Sequence, residues 1–211
     1  MRTLGLTPWP ARRAHRVLVL VAVAALLASL VVWLIPGGKP DTKWPGGVVN
    51  VYGPPTMTDT LVIAARQWTT SGAHVDLRVV LRPKDADVIV RTDDRRLAQA
   101  CGKCLGHSGS IGRPETGRTE VLIKSELDGQ IRPLSVWVAA HELGHVLGLR
   151  HRPGKGCSLM SSNAFDTRCA PTWASTRPSK DDLVCIPGRR DTLVAAQLYG
   201  GAPARHDVRC G

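Results

Sequence analysis

His141-Glu142-Leu143-Gly144-His145-Val146-Leu147-Gly148-Leu149-Arg150-His151 is the stretch that decides how this chain is read. On a helix, residues four apart face the same way, so His141 and His145 can present imidazole nitrogens to one metal ion. Glu142, one residue along, cannot ligate in the same way, but it can reach a water on that metal and accept its proton. A straight helix would carry a third ligand away from the site. Gly148 supplies the break, since glycine takes the left-handed conformation that ends a helix and turns the chain back, and His151 then arrives from outside the helix. Three protein nitrogens leave a fourth position for water, which separates a catalytic zinc site from a closed structural one. The pattern therefore predicts one catalytic Zn2+ held by His141, His145 and His151, with Glu142 as general base.

Working outward, the segment from Leu134 to Leu149 has helical period, with Val136, Ala140, Leu143 and Leu147 on one apolar stripe and the two histidines on another side. Upstream, Val48 to Tyr52 is a β-branched run closed by Pro54 and Pro55. Thr58 can start a helix through Leu61, Val62, Ala65 and Trp68 that ends near Ser71-Gly72. Val75 to Leu81, alternating Val75, Leu77, Val79 and Leu81, and Ala86 to Val90 read as strands separated by the turn Arg82-Pro83-Lys84-Asp85. Between Thr92 and Gly117 only Ser108 to Ile111 suggests a strand, and Val121 to Ile123 is the last such segment. A final helix is expected from Asp191 or Thr192 through Leu198, stopped by Gly200-Gly201. Strands followed by helices around one sheet predict an α+β or α/β domain, and 211 residues suffice for one such unit plus an appendage.

The appendage is at the N-terminus. Residues 17–35 are uncharged and would span roughly 28 Å as a helix, close to the thickness of a bilayer core. Arg12, Arg13 and Arg16 precede the segment, which keeps residues 1–16 in the cytoplasm as a basic tail and sends the rest across the cell membrane. The alternative is a cleaved signal peptide and a secreted domain, although the best small-residue triplet, Ala22-Val23-Ala24, lies mid-segment. Residues 36–47, rich in proline and glycine, read as a linker to a catalytic domain over 48–211. Outside the cytoplasm, an even count of cysteines reads as disulfides among Cys101, Cys104, Cys157, Cys169, Cys185 and Cys210. Proximity favours pairing them in that order, two by two. Of the net charge of +11, four arginines precede the apolar segment, leaving 24 basic against 17 acidic residues, or +7. These are scattered, which predicts a solvated basic surface and no nucleic-acid partner.

The zinc motif followed by Cys157-Ser158-Leu159-Met160-Ser161 resembles the metzincin clan, whose zinc signature is followed by a methionine-containing turn beneath the metal. Met160 is the residue that matches. Within the clan, Val138 to Leu149 is similar to the matrixin active-site helix, and Ala196-Gln197-Leu198-Tyr199-Gly200 to the end of that family's last helix. From Val48 to Gly200 the resemblance implies a twisted mixed five-stranded sheet packed on helices, and a cleft in which a protein or peptide substrate lies extended beside an edge strand at Ser108 to Gly112. Gly148 and Met160 then support the site. Ser161, Ser162 and Asn163 follow Met160, so neither the proline of matrixins nor a helping tyrosine stands there. No calcium or second-zinc loop of the animal enzymes is recognisable, and Arg152 stands where archaemetzincins have the first cysteine of an extra zinc site.

These readings converge on a zinc metalloendopeptidase acting on extracytoplasmic proteins or peptides. Two rivals belong to other classes. Cys101-Gly102-Lys103-Cys104 could exchange thiols, though the loop-like Leu105 to Gly109 after it does not open a helix. A zinc-retaining binding domain would have no need of Glu142. Substrate preference would depend on a pocket wall at Ser161 to Trp173.

Overall fold

The structure is a computed structural model that describes residues 43–129, 131–152, 158–163 and 187–204. The apolar segment 17–35, the basic tail before it and Cys157, Cys169, Cys185 and Cys210 lie outside the described residues. Among the described residues no helix is long and apolar enough to cross a membrane.

Five strands form one sheet: β1 (Val48–Tyr52), β2 (Asp76–Val79), β3 (Val88–Thr92), β4 (Gly106–Ser108) and β5 (Thr119–Ile123), in the order β2-β1-β3-β5-β4. Strands β1, β2, β3 and β5 run parallel, and β4 pairs antiparallel with β5 at the edge, His107 opposite Leu122. The architecture is α+β with a mixed sheet, as expected. Alternation places Val49 and Val51 of β1, Val88 and Val90 of β3, and Val121 and Ile123 of β5 in one core.

Helix α1 (Thr58–Thr69) buries Leu61, Ala64, Ala65 and Trp68 in that core, against α3 (Pro133–Val146). Proline opens α3 at a position where its missing N–H leaves no bond unmade. Every residue of α3 except Leu134 is buried, so the single apolar stripe expected from the sequence is only part of a helix enclosed on all sides. Its later carbonyls find unusual donors: Trp68 Nε1 donates to Ala140 at 2.8 Å, Trp44 Nε1 to Val146 at 2.7 Å, and the Tyr199 hydroxyl to Leu147 at 3.0 Å. The helix end is thereby satisfied away from water. Tyr199 comes from α4 (Arg189–Tyr199), which starts a little earlier than the sequence suggested.

Several expectations are corrected. A short helix, α2 (Asp94–Cys101), occupies part of the stretch read as irregular. Asp93 caps it, its side chain accepting from Arg96 N–H at 3.0 Å. The edge strand is Gly106–Ser108, not Ser108 to Gly112, because Gly109 N–H donates to Glu120 and the chain then turns away. Strand β2 stops at Val79, and Leu81, expected on its buried face, is 86 % exposed. The end of the presumed linker packs on the domain: Trp44 is 2 % exposed and Pro45–Gly47 forms a 3-10 turn.

Candidate metal centre

His141 and His145 lie one turn apart on α3, and the chain reverses just beyond them. Leu147 N–H still donates to Leu143, Gly148 takes φ +97°, and Leu149 N–H reaches back to Gly144. Only a residue without a side chain sits easily at that φ. The reversal returns His151 to the histidines, with its Nε2 3.2 Å from Nε2 of His141 and 3.1 Å from Nε2 of His145.

The proton positions on two rings follow from their partners. His141 Nδ1 is 2.6 Å from the carbonyl of Leu159, and His145 Nδ1 is 2.7 Å from the carbonyl of Leu149. A carbonyl oxygen can only accept, so both Nδ1 atoms carry the proton and both Nε2 atoms turn lone pairs inward. Lone pairs converging at this spacing repel unless a cation lies among them. Tetrahedral zinc with Zn–N bonds of about 2.0–2.1 Å needs nitrogens roughly 3.3 Å apart, close to the separations seen. The three residues fit the group, and backbone carbonyls orient two of the rings from behind. Burial pushes His141 down to about 3, and lowers His145 and His151 as well. All three rings are therefore held in the neutral form that ligates metal. Trp137 stacks on His141, ring centroids 5.0 Å apart.

Glu142 is 4 % exposed, and burial pushes its carboxyl up to about 8, opposed by the backbone N–H of Ser108. Its Oε2 is buried with no hydrogen-bond partner in the protein. A buried, unpaired carboxylate oxygen is costly, and a cation or a water beside it would remove that cost. The cleft in front has a volume of about 570 Å³ and is lined by Leu105, His107, Ile111, Trp137, Arg150 and Asn163 beside the histidines.

Beneath the histidines, Met160 is fully buried, and Gly144 leaves room for it, since a Cβ there would lie 2.4 Å from the methionine sulfur. The turn carrying Met160 is held from α4. Asp191, fully buried, accepts from the Ser158 hydroxyl at 2.6 Å, Leu159 N–H at 2.7 Å and Gly188 N–H at 3.2 Å. Ser158 Oγ in turn accepts from Met160 N–H at 3.1 Å. Burial raises the Asp191 carboxyl above its ordinary range in spite of these donors. Sequence reasoning saw Asp191 only as a helix start. Its place three residues after Gly188 was its one visible signal, since its carboxylate accepts from the Gly188 N–H at the start of α4, while its reach to Ser158 is tertiary.

Of the residues singled out from sequence, the structure brings together His141, His145, His151, Glu142, Gly148 and Met160. Cys101 and Cys104 form a disulfide on the rim of the same cleft. Of the predicted pocket wall, Ser161 to Asn163 line the cleft, and the remainder to Trp173 lies outside the described residues. The importance of Gly106, Trp137 and Asp191 was not anticipated.

No family model matches the chain, and no curated protein resembles it in sequence. Solved structures of myroilysin are similar in shape. One has a TM-score of 0.44 at 15% identity and covers 76% of this chain and 87% of its own, and another has 0.45 at 14%, covering 78% and 87%.

Proposed function

We propose that this chain is a zinc-dependent endopeptidase with a metzincin-type centre. One observation carries the reading: Nε2 of His151 lies 3.2 Å from Nε2 of His141 and 3.1 Å from Nε2 of His145, beside a buried glutamate with an unpaired oxygen. A zinc ion bound there supplies Lewis acidity toward water and toward a peptide carbonyl. His141, His145 and His151 hold it, and the carbonyls of Leu159 and Leu149 fix two of their tautomers. The Glu142 carboxylate takes the proton of the attacking water and passes it to the leaving amine. The matching turn at Met160 and the break at Gly148 favour the metzincin type, and the residues of α3 and α4 favour a matrixin-like member.

An extended peptide would add to the open side of β4, using backbone groups of Gly106 and Ser108. We further propose that residues 17–35 anchor the domain to the cell membrane with its cleft outside the cytoplasm. External protease added to intact cells should then shave the domain off. Its protection would place it inside.

The thiol-exchange rival is weakened by position. Cys101 is the last residue of α2, so no helix N-terminus stabilises its thiolate. The silent zinc-binding rival differs in one measurement. A random peptide library incubated with the zinc-loaded protein should be cut, and a zinc chelator should stop the cutting. A library left intact with zinc bound would favour the binding domain.

A further inference from the structure

Strand β4 meets helix α3 at the Glu142 side chain. A Cβ on Gly106 would lie 2.6 Å from Glu142 Oε1, 2.8 Å from its Cγ and 2.9 Å from Val138 Cγ1. All three separations are shorter than packed side chains tolerate, and Glu142 is buried too deeply to swing aside. Two residues on, the backbone N–H of Ser108 faces the same carboxylate.

The strand register explains why these two positions act together. Lys124 N–H donates to Leu105, and Gly109 N–H donates to Glu120. With His107 opposite Leu122, the ladder uses Leu105, His107 and Gly109, and the backbone groups of Gly106 and Ser108 turn away from β5. The open edge of the sheet and the glutamate therefore share one strip of backbone.

We propose that β4 is a positioning element for Glu142. The absent side chain at Gly106 leaves the space that the Glu142 side chain fills, so that Oε1 and Cγ sit against the backbone of β4. Gly106 is a positioning residue, not a catalytic one, and this inference rests on Glu142 being the proton acceptor.

The test is Gly106→Ala, made in the wild-type background and in Glu142→Ala, with thermal unfolding and peptide turnover measured on the zinc-loaded protein. In the wild-type background the substitution lowers Tm by about 3–6 °C. In Glu142→Ala more than half of that shift disappears, because two of the three close contacts go with the side chain. Turnover falls by about tenfold or more in kcat, with KM within about twofold and zinc content unchanged. Equal Tm shifts in both backgrounds, or an unchanged kcat, would overturn the proposal. If Gly106→Ala does not fold, the double variant with Glu142→Ala must, and its failure to fold overturns the proposal too. Should the wild-type protein cleave no peptide, the protease reading fails, while the Tm comparison still decides whether Gly106 fits against Glu142.

Discussion

The carboxylate of Asp191 accepts a hydrogen bond from the N–H of Leu159 at 2.7 Å, and the carbonyl of the same Leu159 accepts from Nδ1 of His141 at 2.6 Å. A residue 50 positions beyond the first histidine thus holds in place, through the backbone of Leu159, the carbonyl that sets that histidine's tautomer. The link connects the last helix to the metal centre and gives Asp191 two separable effects.

Asp191→Ala leaves the Ser158 hydroxyl and the N–H groups of Leu159 and Gly188 without their acceptor inside the protein. Each such loss costs about 1–3 kcal/mol, so the variant should be destabilised by at least about 3 kcal/mol in denaturant unfolding. Zinc affinity should fall about 10- to 100-fold in competition with a chelator, as for other residues behind a ligand. Asp191→Asn keeps one acceptor and should lie between. Wild-type zinc affinity in Asp191→Ala would disconnect α4 from the centre.

Acid should weaken the metal-free domain in a definite direction. Burial depresses His141 to about 3 from an ordinary value of 6.5, and His145 and His151 in the same sense. Between those values an unfolded histidine binds more protons than a folded one, so the histidines' contribution is full above pH 6.5 and falls as pH drops below it, while Glu142, raised from 4.5 to about 8, contributes in the opposite sense between its own two values. His141 alone contributes a slope of about 1.4 kcal/mol per pH unit. In Glu142→Gln, which removes that opposing titration, urea midpoints of metal-stripped protein should fall steadily from pH 6.5 to pH 5. A flat profile would mean that the rings are not held neutral.

Trp44 gives a prediction independent of the chemistry. Its indole is buried, donates to the Val146 carbonyl and has the Arg113 guanidinium 6.0 Å from its ring. Trp44→Ala should cost about 3–5 kcal/mol, which is large for a segment that looks like a linker in sequence. A domain starting at Val48 should show a comparable loss. An effect under about 0.5 kcal/mol would show that Trp44 merely lies on the surface.

How much of this was legible beforehand follows from the range of the interactions. The strand at Val48–Tyr52, the helix around His141 and the turn at Gly148 each announce themselves within a few residues, by period or by residue type, and all appear where expected. Helix α2 does not, because Leu97 is its one buried residue and a cap at Asp93 without an apolar face reads as a loop. Strand β4, Gly-His-Ser, has no β-branched residue and is only half-buried, so its boundary was misplaced toward Ile111. Gly106 and Asp191 matter through contacts some 30 residues distant in sequence, with Glu142 and with Leu159, which no local pattern encodes.

The central claim is that Glu142 is the base of a zinc-dependent hydrolysis, and Glu142→Gln tests it most directly. The substitution keeps the size of the side chain and removes its capacity to accept the water's proton. Cleavage of a peptide selected from the library should fall by about 10²-fold or more, while zinc content stays at one ion per chain. Cleavage at the wild-type rate by zinc-loaded Glu142→Gln would contradict the account.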